Sequence, residues 1–103
     1  MRTLNQNDKM TREIVSAMQT IYETSEDVRC IYLMPFRMSE DGSLFDEQYL
    51  LVDLDNGSKD SDIVIDAILD TDHYLEDKGI STATTFYTDE DLSYLIKIPK
   101  GGF

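Results

Sequence analysis

The residues best placed to do chemistry in this chain are carboxylates at regular spacing. Asp53-Leu54-Asp55 sets two of them at i and i+2. On a strand both would project from one face, about 6.5–7 Å apart at the backbone. Such a pair can hold a divalent metal, Mg²⁺ above all, in phosphoryl transfer. A second set, Asp62, Asp66 and Asp70, follows at i, i+4 and i+8. On a helix these share one face, and each step advances about 6 Å along the axis. Asp72, Glu76 and Asp77 extend that surface, and Asp60 lies just before it. The first set points to a metal site and the second to an acidic docking surface. The second costs stability, because like charges four apart repel by a few tenths of a kcal/mol (about 0.2–0.5) per pair and Asp is a poor helix former.

Other chemistry is scarce. His73 is the one histidine and Cys30 the one cysteine. That excludes a His-pair metal motif, an intramolecular disulfide and a cysteine zinc site. His73 sits among Asp70, Glu76 and Asp77 and reads as a surface residue. Cys30 lies in an apolar run and reads as a small core residue. No phosphate loop of the Walker type occurs, and no aromatics alternate with bases to stack single strands. Asp53 to Gly57 opens like a calcium loop, but its twelfth position is Val64 rather than Glu. No catalytic residue is assigned, and the chain reads as a binding protein rather than an enzyme.

The charge supports that reading. The 103 residues hold 9 Lys+Arg against 21 Asp+Glu, a net of −12. Residues 1–39 balance five acids with five bases, whereas residues 40–91 hold sixteen acids against Lys59 and Lys78. Such a surface repels phosphates and anionic lipid, so neither nucleic acid nor membrane is a direct partner. It suits the basic surface of a protein, with Asp53, Asp55, Asp60, Asp62, Asp66, Asp70, Asp72, Glu76 and Asp77 as the contact residues. The spacing of Asp62, Asp66 and Asp70 is close to that of neighbouring phosphates on one strand. The sharper expectation is therefore a nucleic-acid mimic that occupies the groove of a nucleic-acid-binding protein. Small phage-encoded inhibitors of the anti-CRISPR and anti-restriction type act this way, an analogy of size and charge. A second copy of the chain, met through an apolar sheet face, is the other partner class. The first eight residues contain no secretory signal, and Ile31 to Phe36, the longest apolar stretch, is too short to span a bilayer. With its lone cysteine, the chain is expected in the cytoplasm.

These residues must be positioned by one domain, since 103 residues at 41% hydrophobic content suffice for a single core. Ile14, Val15, Met18, Ile21 and Tyr22 predict an amphipathic helix from about Asp8 to Thr24. Val28 to Phe36 reads as a strand, with Pro35 arguing for an edge position or a late kink. Ser39 to Ser43 is a turn cluster, and Phe45 to Asp55 a second strand with Leu50, Val52 and Leu54 on one face. Ser61 to Lys78 reads as a helix with Val64, Ile65, Ile68, Leu69 and Leu75 as its buried stripe, closed by Gly79 in a left-handed cap. Ile80 to Thr88 is a third strand. Residues 92–98 fit a short helix or a fourth strand, with alternation at Tyr94, Ile96 and Ile98 favouring the strand, and residues 99–103 read as a loose tail. The expectation is an α+β or α/β two-layer domain of order α-β-β-α-β, with three or four strands and two helices on one face.

One motif carries a resemblance. Gly42-Ser43, nine residues, then Asp53-Leu54-Asp55 is similar to the signature of the nucleotidyltransferase superfamily, whose order of helices and strands is also similar. The resemblance spans residues 42–55. It implies that Asp53 and Asp55 bind Mg²⁺ and that Gly42-Ser43 touches a nucleoside triphosphate, in an active or a degenerate member of that fold.

Overall fold

In the computed structural model, residues 3–35, 38–45, 47–88 and 92–103 are described. The first helix, α1 (Lys9–Thr24), starts at Asp8, whose carboxylate accepts the Thr11 N–H at 3.0 Å and the Thr11 hydroxyl at 2.6 Å. The same carboxylate accepts the Leu44 N–H at 3.3 Å, which ties the helix start to the loop before the second strand. Partial burial pushes Asp8 up, but the bonds from Thr11 and Leu44 outweigh it and hold the carboxyl below its ordinary 3.8. In that loop Gly42 has φ +83°, and a Cβ there would stand 2.2 Å from the Thr3 carbonyl oxygen. Only glycine fits. Its carbonyl accepts the Asn5 N–H at 3.1 Å, drawing the chain before α1 onto the loop.

The strands are β1 (Val28–Leu33) and β2 (Gln48–Leu54), followed by α2 (Ser61–Asp77) and β3 (Thr82–Phe86). A 3₁₀ turn at Leu92–Tyr94 then leads into β4 (Ile96–Ile98), so residues 92–98 hold both the helical turn and the strand that their pattern allowed. The sheet order is β3-β2-β1-β4. β1 pairs antiparallel with β2 and β4, while β2 and β3, joined through α2, run parallel. The fold is α+β with a mixed four-stranded sheet. β1 is an inner strand because Pro35, which has no N–H to donate, falls just past its end. β2 is shorter than the extended run from Phe45 to Asp55 that contains it.

Both helices lie on one face of the sheet. Ile14, Met18 and Ile21 of α1, with Val64, Ile68 and Leu75 of α2, close over Ile31, Leu33, Leu50, Val52 and Ile98 in one core. Tyr22 also does polar work there: its hydroxyl accepts the Ile31 N–H at 2.8 Å and donates to the Ile98 carbonyl at 2.7 Å, bridging β1 and β4. Residues 99–103 are drawn onto α1 by Gln19, which donates to the Pro99 carbonyl at 2.8 Å and accepts the Gly101 N–H at 2.6 Å. On the other sheet face Tyr32 and Leu51 are buried too, and the Tyr87 ring packs on Tyr32 with centroids 5.8 Å apart. The apolar sheet face expected to meet a second copy is thus partly covered from within the chain.

One part of the expected core is not core. Val64, Ile68 and Leu75 are buried, joined by Ala67 and Thr71, but Ile65 is 40% and Leu69 56% exposed. The sheet ends at β3, so among the described residues no strand lies beneath that flank of the helix. No helix among the described residues is long and apolar enough to cross a membrane.

Candidate functional site

The acidic surface is built by α2, which joins the parallel strands β2 and β3. Its carboxyl end has the expected cap: Gly79 takes φ +79° and the Ile80 N–H reaches back to the Leu75 carbonyl at 2.9 Å. Its amino end is capped less directly. Asp60 occupies the N-cap position, but its carboxylate accepts the Ser25 hydroxyl at 2.6 Å and makes no capping bond to the helix.

The core-facing line of Val64, Ala67, Ile68, Thr71 and Leu75 fixes what points away. At about 100° per residue, Asp62, Asp66, Asp70, His73 and Asp77 fall on the opposite face, and all are exposed. Glu76 borders them. Among the described residues none of these acids makes an ion pair; the pairs present are Arg29 with Asp53 and Asp55, and Lys78 with Glu13. Lys78 follows Asp77 directly in sequence, yet it is held on the α1 side. Its ammonium lies 5.0 Å from the Tyr74 ring centroid and 3.7 Å from Glu13, and its pKa is raised first by Tyr74 and then by Glu13. The acidic ridge is left uncompensated.

Four assigned contact residues are placed otherwise. Asp72 turns toward β3, where it accepts the hydroxyls of Thr82 at 2.8 Å and Thr84 at 3.0 Å. Two residues past Asp70 on a helix is about 200° around the axis, which takes Asp72 off the ridge. Asp60 is occupied by Ser25. Asp53 and Asp55 lie at the far end of β2 and share Arg29, at 3.6 Å and 3.8 Å.

That guanidinium stands where the metal reading of Asp53 and Asp55 would put a cation. Arg29 falls at an irregularity of the β1–β2 register between Val28 and Cys30, beside the two carboxylates, and balances one of their two charges. β2 also ends at Leu54, so Asp55 belongs to the following turn, where it accepts the Gly57 N–H at 3.2 Å. Gly42-Ser43 belongs to the loop at the other end of the β1–β2 pair, packed against Thr3 and Asn5. The two halves of the nucleotidyltransferase-like motif therefore sit at opposite ends of the β1–β2 hairpin. Among the described residues no group of three or more His, Cys, Asp or Glu could hold a metal ion.

The sequence pattern missed what flanks the ridge. Ile63 (54% exposed) and Tyr74 (49%) border it on the α1 side, Ile65 and Leu69 on the β3 side. A signal was present: apolar residues occupy more of the circumference of α2 than one sheet face can cover. A cleft of about 790 Å³ lies elsewhere, between the segment near Leu4 and the β4 edge. Its walls are mostly apolar, including Pro35, Leu95, Ile96 and Phe103, and bring no acid–base pair together.

No family model matches the chain, and no curated sequence or solved structure is significantly similar to it.

Proposed function

We propose that this chain is a non-enzymatic binding protein whose α2 docks on a basic protein surface, and that the partner is a nucleic-acid-binding protein whose groove takes carboxylates in place of phosphates. The observation that carries this reading is the exposed, uncompensated ridge Asp62–Asp66–Asp70 edged on its α1 side by Ile63 and Tyr74. At an interface the two kinds of group divide the work: charge steers encounter and register, and desolvated apolar anchors supply affinity.

The test is capture on immobilised protein from nuclease-treated lysate, eluted in salt steps and with duplex DNA as competitor. A basic nucleic-acid-binding protein should leave the column with DNA or with moderate salt. The combined Asp62→Lys, Asp66→Lys and Asp70→Lys variant should retain none of it. Binding that survives both the charge reversal and high salt would exclude mimicry.

A further inference from the structure

Apart from the acidic ridge, the outer edge of β3 is the surface this fold leaves unfinished. Its ladder with β2 shows which backbone groups are engaged. The Gln48 N–H bonds the Ser81 carbonyl at 3.0 Å and the Tyr87 N–H bonds the Val52 carbonyl at 2.8 Å. With Gln48, Leu50 and Val52 opposite Thr82, Thr84 and Phe86 in parallel register, residues 81, 83, 85 and 87 bond inward. The N–H and C=O groups of Thr82, Thr84 and Phe86 point outward. Edge strands are usually blunted by Lys, Pro, a bulge or extreme shortness. β4, at the opposite edge, is three residues long, centred on Lys97 and followed by Pro99. Thr82-Ala83-Thr84-Thr85-Phe86 has no charge, no Pro and an unbroken register. Above it leans the flank of α2 that carries Asp72, already bonded to Thr82 and Thr84, together with Ile65 and Leu69. These are the two apolar positions left exposed because the sheet stops beneath them.

We propose that a second copy of this chain covers that edge, its β3 pairing antiparallel with the first about a two-fold axis at Thr84. In this register Thr84 faces its own copy and Thr82 faces Phe86 of the other, each pair exchanging both N–H···O bonds. An isolated strand would satisfy the backbone and leave Leu69 in water. A second copy brings its own α2 onto the same face of the continued sheet, so Ile65 and Leu69 of the two helices meet across an isologous contact. Asp62, Asp66 and Asp70 lie on the far face of α2 and stay outside it, so the dimer displays two acidic ridges. Because each copy carries −12, salt strengthens this association, the opposite sign to the binding of a basic partner.

Sedimentation equilibrium of the full chain, at salt of about 0.05 M and about 0.5 M, decides the matter when combined with amide exchange. The expected species has twice the 11.8 kDa chain mass and tightens with salt. Leu69→Ser, at a position already in water, should weaken it about tenfold. Thr84→Pro removes an outward N–H without touching the β2 ladder and should give a monomer with unchanged circular dichroism. If that variant fails to fold, Leu69→Ser and the exchange data decide. Wild type that stays monomeric at about 0.1 mM in high salt overturns the proposal. So does a dimer that Leu69→Ser leaves unweakened, or one in which the Thr82, Thr84 and Phe86 amides exchange as fast as in free chain. Neither result bears on the acidic ridge, which is read from partner capture.

Discussion

The two helices share one sheet face but are built to different ends. α1 is capped by Asp8, and its stripe of Ile14, Val15, Met18, Ile21 and Tyr22 is wholly buried. α2 has its N-cap carboxylate turned to Ser25, carries three acids at four-residue intervals, and leaves Ile63, Ile65, Leu69 and Tyr74 in water. α1 holds the domain together. α2 is anchored by one line of residues and gives the rest of its circumference to the surface, and that division is why it is the helix proposed to bind.

The contrast breaks most sharply in the core. Met18→Ala, at a fully buried position of α1, should cost about 2–5 kcal/mol in urea unfolding, whereas Leu69→Ala on α2 should stay within about 0.5 kcal/mol in the monomer. Equal losses at the two sites would erase the distinction. Next in size is the cap. Asp8→Ala should lose about 1 kcal/mol at neutral pH. The Asp8 pKa is lowered in the folded state, so this contribution is complete above the unfolded value and fades as pH falls through the lower folded one. Stability measured against pH should therefore show wild type and variant converging in acid; a constant gap would assign the loss to packing. The smallest effect should have the opposite sign. Asp66→Ala removes two like-charge neighbours and a weak helix former, and should raise the melting point by the equivalent of about 0.5–1 kcal/mol while weakening capture of the partner. A variant that gains stability and keeps full binding would leave the ridge without a role.

How much of this was readable beforehand differs between the helices in the same way. Hydrophobic period gave α1, the buried line of α2 and the order of strands, because each reports a local face. Ile65 and Leu69 were misplaced because period measures how wide an apolar stripe is, and cannot say where the sheet beneath it ends. The partner of Asp53 and Asp55 was hidden for a related reason: Arg29 reaches them only through the register of β1 against β2, displaced by an irregularity that no spacing announces. Tyr22 was placed in the stripe correctly, but its hydroxyl finds Ile31 and Ile98 only once the sheet exists. Asp62, Asp66 and Asp70 were legible because four residues make nearly one turn.

The place of β4 has a consequence for how the molecule is made. Ile31 in β1 pairs with Ile98, so an inner strand waits for a segment far along the chain to seal its second side. A chain leaving the ribosome exposes that edge, with Ile31 and Leu33 beside it, until Ile96–Ile98 emerge. Neighbouring chains on one message are then at their most prone to cross-pair. By that stage residues 40–91 have already emerged with their sixteen acids, so nascent chains repel one another during the interval in which they are stickiest.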